Sequence, residues 1–333
     1  MSAPVMQTPL SPIDRAVVAR AAAILRDGGL VALPTETVYG LGANALEVAA
    51  VRRIYEAKGR PSFNPLIVHV CDVAQARSLA AVWPESAERL AAHFWPGPLT
   101  LVVPKRSNVP DEVTAGLPAV GLRMPAHPVT LAILREAGVP IAAPSANRYT
   151  ELSPTTAAHV AASLGDRVDL IVDAGPSTVG IESTVVDLTG ERPVILRPGG
   201  LSRPELEAVV GPFAEPRGGH EHDAPRPSPG LVERHYAPRA PLTIMPTDVL
   251  EREVRASANE RLGIVAWEGM AIAPSANLLI EWLPADPAGF ARGLYAALHA
   301  LDARGAERIL APEVPPGAAW DGVRDRLARA GHA

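Results

Sequence analysis

A segment rich in proline and glycine, late in the chain, limits what this sequence can fold into. Nine of the twenty residues 211–230 are proline or glycine. Such a segment has the period of neither a helix nor a strand, and it predicts a linker between two folded parts. The chain has 333 residues, enough for two domains that each bury a core. We therefore expect a larger domain over 1–210, the linker over 211–240 and a smaller domain over 241–333.

The first 210 residues alternate between apolar runs and helical periodicity. Apolar residues from Ile13 to Leu25 recur at helical spacing and predict a helix over 12–27, while the run 30–33 predicts a buried strand followed by a loop over 35–42. Further strands are predicted at 66–70, 99–103, 119–123, 141–143, 170–172, 184–188 and 194–197, and helices at 46–57, 72–80, 84–93, 128–137, 155–164 and 204–210. Strands that alternate with helices and later cluster predict an α/β domain with a mixed sheet.

The residues after the linker repeat this alternation on a smaller scale. Strands are predicted at 242–245, 262–267, 278–283 and 308–310, with helices near 247–256, 287–304 and 320–330. This pattern predicts a small C-terminal α/β domain of a Rossmann-like kind.

Composition excludes several classes of protein. Hydrophobic residues make up 47% and charged residues 20%, as in globular proteins. The net charge of -5 argues against a broad nucleic-acid surface. The single cysteine, Cys71, excludes an intrachain disulfide framework. The first ten residues lack the pattern of a signal peptide, and no apolar run reaches the ~20 residues that span a bilayer. We expect a soluble cytoplasmic protein without membrane contact.

Lysine is scarce, and one of the two lysines lies in a motif-like turn. Of the 31 basic residues only Lys58 and Lys105 are lysine. Lys58, Arg60 and Asn64 share a turn stiffened by two prolines, which could aim several donors at one anion. A solvated surface turn is the alternative interpretation.

Other short motifs are ambiguous by themselves. The stretch Gly40 to Ala45 matches the loose dinucleotide pattern weakly, because it does not follow the strand directly and no acidic residue stands about 20 positions later. The Ser145-Ala-Asn147 motif and Ser153, which opens a helix, suit a phosphate or a carboxylate, with plain capping as the alternative. His220-x-His222 lacks a convincing third metal ligand and is better explained as a solvated linker. We predict no metal site made by the protein.

Taken together, several motifs resemble the YrdC-like family. They are Pro34 to Gly42, Lys58-Gly59-Arg60-Pro61, Asn64-Pro65-Leu66, Trp95 to Thr100, Arg123-Met124-Pro125, Pro144 to Asn147 and Glu182 to Val185. The resemblance covers about residues 12–210, and the segments 228–230 and 235–238 with the C-terminal domain resemble the longer, two-domain threonylcarbamoyl-AMP synthases. It implies a twisted mixed sheet with helices and a central, positively charged cavity.

The resemblance also implies an activity and a site. The activity is an L-threonylcarbamoyladenylate synthase, a nucleotidyltransferase that makes the adenylate and pyrophosphate from L-threonine, bicarbonate and ATP. The product would pass to the tRNA threonylcarbamoyl transferase machinery for N6-threonylcarbamoyladenosine at position 37 of tRNA, and Mg²⁺ would accompany ATP. Given the net charge of -5, we expect no stable direct binding of tRNA by this chain. The implied threonine residues are Thr35, His69, Arg123 and Ser183, and the implied ATP residues are Lys58, Arg60, Asn64, Ser145, Asn147, Ser153, Arg197 and Tyr236. Lys58 and Arg60 would be catalytic, and Tyr236 in the linker would act as a lid.

Two departures and two rival interpretations stand beside this resemblance. Ala119 occupies a position where similar proteins often have a threonine, and residues 148–151 differ from the usual small-residue loop. A carbamoyl transferase of the hydrogenase-maturation type would need cysteine-rich zinc modules that one cysteine cannot supply. The alternative function is a non-enzymatic RNA-binding or regulatory module that uses the same cavity.

Overall fold

The structure, a computed structural model, describes residues 3–10, 13–215, 236–256 and 260–331. In the N-terminal part, up to residue 215, the strands are β1 (Val5–Gln7), β2 (Val31–Leu33), β3 (Gly40–Asn44), β4 (Ile67–His69), β5 (Leu99–Pro104), β6 (Ala119–Arg123), β7 (Ile141–Ala142), β8 (Leu170–Asp173), β9 (Thr184–Asp187) and β10 (Val194–Arg197). Its helices are α1 (Arg15–Arg26), α2 (Val48–Lys58), α3 (Val73–Leu79), α4 (Glu85–Phe94), α5 (Asp111–Thr114), α6 (Pro128–Ala137), α7 (Ala157–Leu164) and α8 (Arg203–Val210).

The C-terminal part, residues 236–331, contains a second and smaller set of elements. Its strands are β11 (Leu242–Met245), β12 (Leu262–Trp267), β13 (Leu278–Leu283) and β14 (Arg308–Pro312). Its helices are α9 (Thr247–Ala256), α10 (Pro287–Ala303) and α11 (Asp321–Ala330). The four strands form a parallel sheet in the order β11-β14-β12-β13.

The N-terminal part forms one mixed sheet that gathers distant motifs. Its order is β1-β8-β2-β3-β7-β4-β6-β5-β9-β10. At its centre, β4 and β6 run parallel, and this pairing sets His69 opposite Arg123. On one side β5 pairs in parallel with β9, so the residues just before β9 reach the same region. The predicted α/β class with a mixed sheet is confirmed.

The loop predicted over 35–42 is partly wrong. The residues from Gly40 to Asn44 form β3, which pairs antiparallel with β2 and places Gly42 opposite Val31. A Cβ on Gly42 would lie 3.0 Å from side-chain atoms of both Leu33 and Ile141. Glycine here permits close packing inside the sheet, although it reads as a loop in the sequence. The short elements β1 and α5 were also not predicted.

The two parts share a hydrophobic core. Val38, Leu152 and Ile181 of the N-terminal part belong to the same buried cluster as Tyr236 and Tyr295. The C-terminal part is therefore packed against the segments around residues 38, 152 and 181 rather than tethered at a distance. The predicted linker lies largely in residues 216–235, outside the described residues. Among the helices described here, none has the length and apolar character needed to cross a membrane.

Candidate active site

Lys58 is the last residue of α2 and turns into the interior. Gly59 caps the helix at φ 61°, a left-handed conformation that glycine adopts without strain. The side chain is only 3% exposed, and its Nζ donates to the carbonyl oxygens of Ser145 at 2.6 Å and Asn147 at 2.5 Å. Burial first, and then the charge of Arg60, hold the pKa of the Lys58 amine well below its usual range. Lys58 thus connects the end of α2 to the Ser-Ala-Asn motif.

Arg60 and Asn64 form a second buried group in the same turn. Arg60 donates to the carbonyl oxygens of Asn64 and Pro65, and its guanidinium lies 5.9 Å from the ring centre of Tyr149. The Asn64 amide donates to the Tyr149 hydroxyl at 3.0 Å. The Oδ1 atoms of Asn64 and Asn147 are buried without a hydrogen-bond partner. Tyr149, which departs from the family pattern, therefore packs onto the predicted ATP residues.

Arg123 and His69 lie on neighbouring strands and form a third group with Glu36. Arg123 Nη2 pairs with Glu36 Oε1 at 2.6 Å, and its Nε donates to the carbonyl of Gly97. Neither ring nitrogen of His69 has a hydrogen-bond partner, and burial, followed by the charge of Arg123, holds its pKa well below the usual range. A neutral imidazole and a buried guanidinium therefore lie together. Thr35 is nearby in sequence, and its hydroxyl donates to the carbonyl of Val38 at 2.5 Å.

Ser183 and Arg197 form a fourth group at the ends of β9 and β10. Arg197 Nη2 donates to Ser183 Oγ at 3.2 Å and to the Ser183 carbonyl at 3.0 Å. Ser183 Oγ also lies 2.8 Å from the hydroxyl of Thr100 on β5. Arg197 Nη1 is 3.5 Å from the hydroxyl of Tyr236, which is buried at φ 62°. Tyr236 thus sits against a predicted ATP residue, as the lid hypothesis requires.

Sequence reasoning missed Glu182 and its partners. Glu182 Oε1 accepts from Ser153 Oγ at 2.5 Å, and Oε2 accepts from Arg326 Nε at 2.5 Å and from the Tyr295 hydroxyl at 3.1 Å. Tyr295 and Arg326 belong to the C-terminal part, far away in sequence, and no local pattern marks them. Glu36 was missed as well. Both glutamates lie inside quoted motifs, but the pairing of Glu36 with Arg123 and of Glu182 with Arg326 depends on the fold.

Several of these groups are close enough to affect each other's charge. Burial lowers the pKa of Arg60, and the charge of Arg197 lowers it further. Burial also lowers the pKa of Lys58, and the charge of Glu182 opposes that shift. The structure therefore gathers Lys58, Arg60, Ser153, Ser183, Arg197 and Tyr236 around one buried region. Ser145, half-buried, joins it through its carbonyl.

A mainly apolar cavity of about 270 Å³ adjoins these residues. Its walls include Pro65, Ile67, Thr100, Ala119, Gly121 and Val185. Pro65 accepts from Arg60, and Thr100 contacts Ser183, so the cavity opens beside both groups. The central, positively charged cavity itself stays a prediction.

Comparison with known proteins finds relatives over the whole chain. A family model for Sua5, YciO and YrdC proteins, described as "Telomere recombination", matches residues 23–199, and a model of the threonylcarbamoyl-AMP synthase C-terminal domain matches residues 201–331. The threonylcarbamoyl-AMP synthase of Bacillus subtilis (strain 168) is 45% identical over 94% of this chain and 92% of its own, and that of Pyrococcus abyssi is 43% identical over 93% and 92%. A crystal structure of P. abyssi Sua5 complexed with L-threonine superposes with a TM-score of 0.91 at 41% identity, covering 98% of this chain and 97% of that one.

Proposed function

The chain belongs to the threonylcarbamoyl-AMP synthase family, and we propose that it converts L-threonine, bicarbonate and ATP into threonylcarbamoyl-AMP and pyrophosphate. One observation supports this most directly. Lys58 and Arg60 are buried and donate to carbonyl oxygens, and in the described part of the chain no carboxylate forms an ion pair with either. Two buried basic groups that no carboxylate contacts directly favour an anionic ligand, because burying a charge without a paired partner is costly.

The triphosphate fits beside these cations. The carbonyl contacts of Lys58 and Arg60 hold both side chains in place before a ligand arrives, so a phosphate group would find oriented donors. Ser153 and Arg197 would contact it from the other side. The adjoining cavity is apolar and bounded by Pro65 and Ala119, which suits the flat face of a purine. The unpartnered Oδ1 of Asn64 offers an acceptor for an amino group.

The third group fits an α-amino acid. Arg123 would bind the carboxylate of threonine, and its ion pair with Glu36 keeps the guanidinium in place. His69 stays neutral because burial lowers its pKa, so it can donate to or accept from the threonine hydroxyl without adding charge. Thr35 and Ser183 would complete this subsite.

The reaction then follows from placing two anions in line. The threonine amine adds to the carbon of bicarbonate and water is lost, which gives the carbamate. A carbamate oxygen forms a bond to the α-phosphorus of ATP, the bond between the α-phosphorus and the bridging oxygen breaks, and pyrophosphate leaves. The cations cancel the repulsion between carbamate and triphosphate and stabilise the charge that develops on pyrophosphate. Tyr236 would close the site and exclude water, which would hydrolyse the product.

Magnesium would arrive with ATP. Among the described residues, no group of three or more His, Cys, Asp or Glu side chains could hold a metal ion. Mg²⁺ prefers phosphate and water oxygens, so the ion would be held partly by the substrate and by water. When bound, Mg²⁺ would neutralise phosphate charge. We further propose that the adenylate passes to the tRNA threonylcarbamoyl transferase machinery in the cytoplasm.

The decisive experiment measures pyrophosphate release and product mass together. The purified chain should release pyrophosphate from ATP only when threonine and bicarbonate are both present, and mass spectrometry should detect threonylcarbamoyl-AMP. Arg123→Gln should raise the KM for threonine at least tenfold and change the KM for ATP much less. Pyrophosphate release that is independent of threonine, or a product without the carbamoyl carbon, would refute the proposal.

A further inference from the structure

One arginine of the C-terminal part, Arg326, contacts residues next to the candidate site. Arg326 lies in α11, and its side chain is 0% exposed. Its Nε donates to Glu182 Oε2 at 2.5 Å, and its Nη1 donates to the carbonyl of Pro198 at 3.0 Å. We propose that Arg326 is a positioning residue for the adenylation reaction, which acts on the substrate groups through Glu182 and Pro198. This inference rests on the function proposed above.

The two residues that Arg326 contacts are sequence neighbours of two proposed substrate residues. Glu182 immediately precedes Ser183, and Pro198 immediately follows Arg197. Ser183 and Arg197 in turn bind each other through the Ser183 carbonyl and hydroxyl. A planar guanidinium that spans both outer neighbours fixes the separation of the two strand ends. Arg326 therefore sets the geometry of a pair in which one member faces threonine and the other faces the nucleotide.

Glu182 extends this effect to a third substrate residue. Its Oε1 accepts from Ser153 Oγ, while Oε2 receives Arg326 and the hydroxyl of Tyr295. Burial alone raises the pKa of the Glu182 carboxyl, but the charges of Arg326 and Arg197 outweigh it and hold the pKa below the usual range. Without Arg326, a buried carboxylate would lose its strongest partner and would compete for the Arg197 guanidinium.

Backbone contacts keep the C-terminal helices in a fixed position on this segment. A Cβ on Gly322 of α11 would lie 2.6 Å from the carbonyl oxygen of Gly199, and a Cβ on Gly180 would lie 2.4 Å from the Cα of Arg292 in α10. Both contacts bring backbone against backbone. Because such contacts leave no room to slide, the position of Arg326 relative to Glu182 is set by the packing of whole helices.

Arg326 also packs under the proposed lid. Its guanidinium carbon lies 5.3 Å from the ring centre of Tyr236, within the range of a cation–π contact. The Tyr236 ring also lies 5.9 Å from that of Tyr295. The same two C-terminal residues that bind Glu182 thus support Tyr236. The C-terminal part would therefore fix the position of the lid residue Tyr236 relative to the substrate residues.

The test compares arginines on the same helix in the full-length protein. Arg326→Met removes the contacts with Glu182 and Pro198 and an ion pair with the neighbouring Asp325. Arg324→Met is the matched control, because Arg324 also pairs with an aspartate of α11, Asp321, but near the surface. We expect Arg326→Met to lower kcat and raise the KM for ATP, with a loss of at least tenfold in kcat/KM, and Arg324→Met to stay within twofold. Arg326→Lys should recover only part of the loss, since an ammonium cannot span both partners.

A double-variant cycle separates positioning from loss of fold. If Arg326 acts through Glu182, Glu182→Gln combined with Arg326→Met should lose little more activity than Arg326→Met alone. Should Arg326→Met fail to fold, Tyr295→Phe removes a single hydroxyl from the same carboxylate and should still raise the KM for ATP about threefold. Near-UV circular dichroism measures the folded fraction of each variant.

The outcomes are distinct. Arg326→Met with wild-type kinetic constants, activity that falls only in proportion to the folded fraction, or fully additive losses in the cycle would each overturn the inference. A wild-type protein that shows no pyrophosphate release dependent on threonine and bicarbonate would instead refute the proposed function.

Discussion

At the scale of single residues, the two lysines of the chain lie in different environments. Lys58 is buried and donates to two carbonyl oxygens, whereas Lys105 pairs with the exposed carboxylate of Asp111. Burying an ammonium without a carboxylate is unfavourable unless a ligand supplies the negative charge. The lowered pKa of Lys58 is therefore what a preformed phosphate site would show before ATP binds.

Substituting each lysine tests this assignment. Lys58→Ala should abolish adenylate formation in a folded protein, and Lys58→Arg should also be poor, because a planar fork cannot replace a point charge that fits between two carbonyls. Lys105→Ala should retain activity within about twofold, since Lys105 lies outside the site and its ion pair with the exposed Asp111 carboxylate contributes about 0–1 kcal/mol. Pyrophosphate release dependent on threonine and bicarbonate is the measurement. Wild-type rates in both Lys58 variants would contradict the prediction.

The sequence indicated most of the polar side chains of the site but not what holds them. Lys58, Arg60 and Asn64 share one turn, so their proximity follows from local spacing. Glu182 and Arg326 are far apart in the chain and meet only because α11 packs on the N-terminal part. A buried ion pair of this kind carries no local signal, since a lone arginine on a helix otherwise predicts a solvated face.

At the scale of elements, two helix glycines differ in how much room their surroundings leave for a side chain. Gly322 in α11 faces the backbone of Gly199, while Gly293 in α10 faces the end of the flexible Leu283 side chain. We expect Gly322→Ala to lower the free energy of unfolding by about 1–3 kcal/mol, because backbone cannot yield to an added methyl group. Gly293→Ala should be near neutral, since Leu283 can shift and alanine favours a helix by up to about 1 kcal/mol.

Urea unfolding of both variants measures this difference. Because Gly322 lies beside the residue that follows Pro198, Gly322→Ala should also lower the activity of the folded enzyme, and Gly293→Ala should not. Equal stability of the two variants would show that α11 is not held by backbone contact with Gly199.

The elements themselves were largely predictable from sequence, with one instructive exception. Strands with apolar runs, such as β5 and β12, and helices with clear periodicity, such as α6, lie where the sequence placed them. Strand β3 did not, because Gly40 and Gly42 read as loop residues. Its pairing with β2 and β7 comes from the sheet around it, which tolerates only a small residue at Gly42.

At the scale of the whole molecule, a histidine pair lies across the two parts. His159 of α7 stacks on His299 of α10 with ring centres 3.9 Å apart. His159 Nδ1 accepts from the backbone N–H of Thr155, and His299 Nε2 lies 3.1 Å from the carbonyl of Ser153. Both contacts suit neutral rings. Glu151, Arg239 and Asp302 line the same crevice. Burial lowers the pKa of His299, the hydrogen bond to the Ser153 carbonyl opposes this, and the positive charge of Arg239 lowers the pKa further.

This pair predicts a loss of stability in mild acid. Burial, followed by the electrostatic interaction with the neighbouring His299, lowers the pKa of His159 from 6.5 to about 4. Between pH 6.5 and 4 the unfolded chain therefore binds more protons at His159 than the folded protein does. The contribution of the neutral His159 to the free energy of unfolding is complete above about pH 6.5 and is lost as the pH falls toward 4. With His159 partly exposed, solvent screening should reduce the effect to on the order of 1–2 kcal/mol.

Urea unfolding of the full chain at pH 8, 6.5 and 5 tests this prediction against a matched variant. His159→Gln cannot take up a proton, so its stability should fall less between pH 8 and pH 5 than that of the wild type. The buried His69 and His127 also have lowered pKa values and remain in both proteins, so the difference isolates the stacked pair. Identical slopes for His159→Gln and the wild type would mean that protonation of this pair does not loosen the junction between the two parts.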